Sequence, residues 1–266
     1  MKKLSLQIVA LLVVLSACNN KNEKQPNVPA AIADPEQVIK NGIAKFPDSL
    51  LLKEQLIQFY RDSADYEKAI AATDDFLRSD SLNSRLWDIK ATLYFENEDS
   101  GNAIRSLETA VQILPAPGYI MKLGSLYAKA KNIKSLGMAD ALLQARSANA
   151  ETEAFYIKGL YYSYSGDKNK AVAFFDRSLL VDYNYMPAYL EKAIVFYDQG
   201  KYEEALKVLD KAVTLQNKFD EGYYWKGRCL EKLNRQTEAI EEYRTALMYS
   251  PDFVEAKEAL ERLETK

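Results

Sequence analysis

The chain has 266 residues, of which 48 % are hydrophobic and 27 % charged, with 35 Lys and Arg against 38 Asp and Glu, two Cys and no His. That much apolar side chain offsets the entropy of ordering and excludes a disordered or collagen-like chain, while the absence of His removes the commonest general base, the commonest metal ligand and every Ser-His or Cys-His nucleophile. A formal charge of −3 without clustered Lys and Arg offers no counterion-release handle, so no nucleic-acid partner is expected.

Residues 1–18 begin Met-Lys-Lys, continue from Leu4 to Leu15 as a run that is apolar apart from Ser5 and Gln7, and end on Ser16-Ala17-Cys18. A positive start, about a dozen mostly apolar residues and a small-residue end describe a secretory signal, too short for a mature transmembrane helix. The closing Leu15-Ser16-Ala17-Cys18 resembles the lipobox of bacterial lipoproteins. That resemblance implies a signal peptide over 1–17, lipidation of Cys18 as the new N-terminus, and a membrane partner reached through the lipid anchor. Asn19 is not the aspartate that retains some lipoproteins at an inner membrane, so outer-membrane delivery in a bacterial cell envelope is expected, on the periplasmic face or the surface. Acyl chains hold such a protein at the bilayer without spanning it.

Residues 18–33 carry two prolines and no sustained apolar period, and they read as the lipidated start and a flexible tether. The fifteen residues 19–33 reach at most ~50 Å extended and typically ~20 Å. Using Cys18 for lipid leaves Cys229 alone inside a helical pattern, which excludes a disulfide framework and makes Cys229 a small core residue.

A single period organises the rest. Small residues stand at Ala69, Ala103, Gly137, Ala171, Ala205 and Ala239, and helix-ending residues at Pro47, Ser81, Pro115, Asn149, Tyr183, Asn217 and Pro251, both series stepping by 34. Six units follow: 50–83, 84–117, 118–151, 152–185, 186–219 and 220–253. Within each, apolar residues recur at helical spacing, as in Tyr189, Ala193, Phe196 and then Ala205, Val208, Leu209, Ala212, so each unit predicts two amphipathic helices. At the fifteenth position stand Asn132, Gly166, Gly200 and Asn234, types that tolerate the left-handed conformation closing the first helix.

These residues resemble the tetratricopeptide repeat family. In the last unit Tyr223, Gly227, Leu230, Ala239, Tyr243, Ala246 and Pro251 carry the likeness, and in the second Trp87, Ala91, Tyr94, Ala103, Leu107, Ala110 and Pro115 do. The resemblance implies an all-α solenoid, a right-handed superhelix of antiparallel helix pairs. Gly159, Ala193 and Gly227 on first helices, with Ala171, Ala205 and Ala239 on second helices, then let backbones approach to roughly 8–10 Å. Unit three departs, because Gly124 and Tyr127 stand one residue early and Gly137 replaces the usual alanine. The Pro115-Ala-Pro117-Gly118 junction before it is either a change of superhelical angle or an ordinary turn. Residues 34–48, opening on Asp34-Pro35, read as an unpaired second helix. Residues 252–266, with Phe253, Ala256, Leu260 and Leu263 on one face, read as a solvating cap helix.

The family resemblance further implies that positions 2, 5, 9, 12 and 13 of each unit face a concave groove that binds a protein or peptide partner. Carried over, the groove presents Phe95, Lys122, Lys129, Tyr156, Leu160, Tyr164, Leu190, Ile194, Tyr197, Tyr224 and Arg228, with Glu96, Leu126, Asp198 and Lys232 beside them. Tyr94, Tyr162, Tyr189, Tyr223 and Tyr243 fall instead on packing positions. The family's clamp for acidic C-termini needs Lys at position 5 and Asn at 6 and 9; units one and two have Glu54, Gln55, Gln58 and Asp88, Ile89, Thr92. Carboxylate pairs such as Glu203–Glu204 and Glu241–Glu242 read as solvated faces. With no phosphate loop, zinc spacing or nucleophile motif, neither a cofactor nor an enzymatic activity is expected. The expected role is an envelope-anchored interaction scaffold, the alternatives being a structural homo-oligomer or a carbohydrate-binding accessory lipoprotein.

Overall fold

The computed structural model describes residues 34–145 and 149–265. The signal sequence, Cys18 and the tether lie outside the described residues. Helix α1 (Pro35–Lys45) precedes six pairs: α2 (Leu50–Asp62) with α3 (Tyr66–Ser79), α4 (Ser84–Glu96) with α5 (Ser100–Ile113), α6 (Pro117–Lys129) with α7 (Lys134–Ala145), α8 (Ala150–Ser165) with α9 (Lys168–Val181), α10 (Met186–Asp198) with α11 (Tyr202–Leu215), and α12 (Asp220–Lys232) with α13 (Gln236–Tyr249). Helix α14 (Val254–Glu264) closes the stack. Among the described residues there is no strand, and no helix is long and apolar enough to cross a membrane.

Local chemistry sets the helix boundaries. Asp65, Asp99 and Asp167 accept hydrogen bonds from the backbone N–H of Lys68, Asn102 and Lys170 at 3.0–3.1 Å, capping α3, α5 and α9. The turn inside each pair is closed by one residue of positive φ: Ala64, Glu98, Lys131, Gly166, Gly200 and Asn234. In three of the six turns the side chain is neither Gly nor Asn, so the turn geometry prevails over residue preference there. In unit three the left-handed residue is Lys131 and not Asn132, whose Oδ1 instead accepts from the Lys134 N–H at 3.0 Å at the start of α7.

The second helices start at residues 66, 100, 134, 168, 202 and 236, a constant stride of 34, while the first helices start at 50, 84, 117, 150, 186 and 220. At α6 the irregularity is an exchange of one turn residue, while α8 begins two residues ahead of the stride. The turn before α6, residues 114–116, is one residue shorter than the equivalent 80–83, and the turn after it, 130–133, is one longer than 97–99. Gly124 and Tyr127 arrive early for that reason. Gly137 is consequently exposed, with nothing within 4 Å of where a Cβ would stand, and the tight contact passes to Ser135 and Ala139, both fully buried. Ser135 Oγ donates to the Gly124 carbonyl at 3.0 Å, which fixes the new register. The expectation that Gly137 serves as the unit's close-approach residue is thereby corrected.

Elsewhere small residues sit where helices meet. Ala69, Ala103, Ala171, Ala205 and Ala239 are fully buried. Gly227 lies under the Tyr243 ring, where a Cβ would stand 2.6 Å from Cε1, and Gly159 lies in the same way under Phe175. These contacts have no room for another atom. Tyr243 is itself fully buried and satisfies its hydroxyl by donating to Glu231 Oε1 at 2.6 Å. Cys229 is buried, and burial pushes its thiol up to about 12, which suits a packing residue and not a nucleophile.

Both ends are covered. Helix α1 packs on α2, with Ile39 and Ile43 against the cluster of Leu56, Ile57 and Tyr60, and the Tyr60 hydroxyl donates to Glu36 at 2.8 Å. Helix α14 buries Ala256, Ala259 and Leu263 against α13, and the Phe253 ring packs at a tilt on Tyr224 with centroids 4.9 Å apart. Ala259, absent from the expected face, is the residue added by the structure.

Candidate binding groove

Direct contacts show which side of the stack is concave. Helix α6 packs on α8, α8 on α10 and α10 on α12, whereas successive second helices meet one another at most marginally. In a curved stack the inner elements crowd, so from α6 to α12 the first helices line the inside, and α2 and α4 continue the same face. Along this face the side chains divide into four stretches.

At α2 and α4 the groove is spanned by ion pairs between first helices: Arg85 with Glu54, Arg61 with Glu96, and Lys122 of α6 with Asp88 at 2.6 Å. These charges neutralise each other, and as half-exposed pairs they contribute little stability. Between α4 and α6 lies an apolar pocket of about 260 Å³ that Phe95, Met121, Ser125 and Leu126 line and Lys122 and Lys129 border. Phe95 is 43 % exposed, and the Lys129 ammonium sits 5.2 Å from its ring centroid. Met121 and Ser125 were not expected here. The one-residue slip of α6 brings them in, and the early Gly124 is the sequence signal for it.

The centre of the groove, α8 to α12, is aromatic and acidic. Tyr156 packs edge-on against Tyr185 at 5.4 Å, and a pocket of about 420 Å³ opens beside it toward Leu190, Phe219, Asp220 and Glu221. Burial raises the Tyr156 phenol well above its ordinary value, raises Tyr185 to about 12, and raises Tyr164, which is 37 % exposed. Burial likewise raises the carboxyls of Glu153, Glu191 and Glu221. Ile194 is half-buried on α10. Leu160 is corrected: it is 1 % exposed, packed with Ala128, Phe175 and Val195, because close packing of α6 on α8 shuts the groove at that point. It is a core residue. Glu153 and Glu221 stand at position 2 of their units, so the same carry-over could have found them; Glu191, at position 6, has no such signal.

At the C-terminal end the Arg228 guanidinium lies over Trp225 at 4.4 Å and Tyr197 at 4.9 Å, with Tyr224 at 5.9 Å. Three expected groove residues are therefore together, but they hold one another. Arg262 of α14 pairs with Glu231 at 2.7 Å beside them. On the outer surface, Glu242 is half-buried and pairs with Lys226 at 2.7 Å, unlike the exposed Glu203, Glu204 and Glu241.

Residues 156–218 and 190–253 match the family model described as tetratricopeptide repeat. Residues 156–253 thus carry tetratricopeptide repeats. Solved structures agree on the fold. A tetratricopeptide repeat protein from Parabacteroides merdae superposes with a TM-score of 0.69 at 18 % identity, over 87 % of this chain and 91 % of that one. PilW, described as a widely conserved type IV pilus biogenesis factor, gives 0.57 at 22 % identity over 80 % and 96 %. A chain of the APC/C hetero-tetramer Cut9-Hcn1 gives 0.54 at 16 % identity over 85 % and 45 %. No curated protein matches the sequence. At these identities the likeness concerns architecture alone.

Proposed function

We propose that this tetratricopeptide repeat chain is a non-enzymatic scaffold, held at a bacterial envelope membrane by lipid on Cys18, that captures a peptide or protein segment in its concave groove. The observation that carries the reading is a pair of solvent-open pockets on the first-helix face, an apolar one beside Phe95 and Leu126 and an acid-rimmed one beside Tyr156 and Leu190. Exposed aromatic surface with hydroxyls at its edge suits segment binding. The lipobox supports the anchor, which would concentrate the groove near the bilayer.

Two measurements test this. Panning random dodecapeptides against the intact chain is expected to enrich sequences whose affinity falls at least tenfold on a Phe95→Ala, Tyr164→Ala, Leu190→Ala triple variant with unchanged far-UV circular dichroism. No enrichment, or unchanged affinity for the variant, refutes groove capture. For the anchor, metabolic labelling with an alkyne fatty acid is expected to mark the wild-type chain and to leave Cys18→Ser unmarked; equal labelling of both refutes it.

A further inference from the structure

The central stretch of the groove differs from the C-terminal end in its cations. One unit toward the C-terminus, Arg228 fills the space between Tyr197 and Trp225. Thirty-four residues earlier, at the equivalent place on α10, stands Ile194. The places of Tyr197 and Trp225 are taken there by Ser163 and Glu191, while Tyr156 and Tyr185 pack edge-on against each other nearby.

Glu191 shows the consequence. It is half-buried on α10 and makes no hydrogen bond or ion pair among the described residues. The groups facing it are Lys129 from α6, Tyr156 and Tyr164 from α8, Lys168 from α9, Asp198 on its own helix and Glu221 from α12. Both lysines are engaged elsewhere, Lys168 with Asp198 at 2.9 Å and Lys129 over Phe95. Across the adjoining pocket, Asp220 and Glu221 form an acidic rim over a floor of Tyr156, Leu190 and Phe219, and among the described residues no basic one lines that pocket. By contrast, the groove carboxylates Glu54, Asp88, Glu96, Asp198 and Glu231 all have cationic partners.

We infer that the groove between α8, α10 and α12 takes an extended peptide segment bearing a Lys or Arg, whose alkyl stem lies on Tyr156 and Leu190 and whose charged head meets Glu191 and Glu221. The inference rests on the groove-binding reading and names its partner's chemistry. An aliphatic stem with a cationic tip satisfies both the apolar floor and the acidic rim, and the carboxylates left uncompensated in the free chain gain their counterion on binding. An acidic segment would add like charge to a site that burial already disfavours for carboxylates.

The test uses the peptides from the dodecapeptide panning that lose affinity on the triple groove variant. They are expected to share a Lys or Arg flanked by apolar residues, and Glu191→Gln is expected to weaken them about tenfold, as is replacing that base by Gln in the peptide. Combining both changes is expected to cost little more than either alone, because each removes the same contact. Peptides that bind the groove but are acidic or neutral, or affinities within twofold on Glu191→Gln, overturn the inference and leave groove capture standing. A failure to obtain groove-dependent peptides removes both.

A stability readout separates the alternatives inside the chain. The folded protein binds a proton at Glu191 more readily than the unfolded chain does, so this group's contribution is full below the ordinary carboxylate range and is lost as pH rises above it. Glu191→Gln removes that loss. Its melting temperature relative to wild type is expected to rise between pH 5 and pH 8. A fall of several degrees at pH 8 would show that an internal cation already serves Glu191, and would overturn the inference.

Discussion

Replacing Ala205 by glutamate is expected to unfold the C-terminal units of the solenoid. Ala205 on α11 is fully buried and belongs to a cluster with Ala193, Leu209, Cys229, Leu230, Ala239 and Tyr243, which joins α10 through α13. A carboxylate there meets no cation and no hydrogen-bond donor, and its bulk must also displace neighbours, so the cost is at least about 3 kcal/mol. Units of a repeat array stabilise one another through their interfaces, so the loss spreads along the stack and is not confined to one helix. Amide hydrogen exchange is expected to show lost protection over α10 to α14 with α2 to α5 less affected, alongside a lower thermal midpoint. Removing the neighbouring charge with Glu204→Ala, an exposed position, is expected to change stability by less than about 0.5 kcal/mol. An unchanged midpoint for Ala205→Glu would mean that the assigned helix contact is wrong.

The second large effect concerns two glycines that the 34-residue pattern treats alike but the structure separates. Gly159→Ala is expected to destabilise. Its Cβ would overlap the Phe175 ring, which is fully buried and cannot swing away, and overpacking of this kind costs about 1–3 kcal/mol. That outweighs the gain of about 1 kcal/mol for alanine over glycine in a helix. Gly137→Ala is expected to stabilise by about 0.5–1 kcal/mol, because it collects the same propensity gain with open space around the new methyl. Thermal or denaturant midpoints of the two single variants decide the matter through their opposite signs. If Gly137→Ala also destabilises, unit three is packed in the register of the other five, and the one-residue exchange of turn length is refuted.

Much of this was legible before any coordinate. The 34-residue stride is a property of composition along the chain, and the second helices start on it without deviation, five of them placing the small residue of the stride against a partner. The two ends were legible for a related reason: an amphipathic segment outside the repeats, such as Ile39 with Ile43 or Ala256 with Leu263, has nothing else to cover. In unit three the early Gly124 was a true signal, but Gly137 satisfied the pattern by type while failing it by position. A residue traded between two turns leaves the overall period intact, so periodicity cannot register it.

The groove was legible only in outline. Phe95, Lys122 and Lys129 do meet at one pocket, and Tyr197, Tyr224 and Arg228 do meet at another place, where they occupy each other. Leu160 obeys the positional rule and is nonetheless shut inside, since the distance between α6 and α8 decides its exposure. Glu191 had no positional signal, because an unpaired carboxylate is defined by what fails to come near it.

The sequence by itself determined the repeat length, the pairing of helices, the two caps and the residue types available to the inner face, because each of these depends on spacing within a few turns of one chain. Only the tertiary structure decided which first helices close against one another and which stand apart, and with that which charges cancel, which tyrosines stay open and which carboxylates lack a cation. Those outcomes depend on ångström-scale separations between residues about 34 positions apart. Such separations are set by the summed packing of every helix between them.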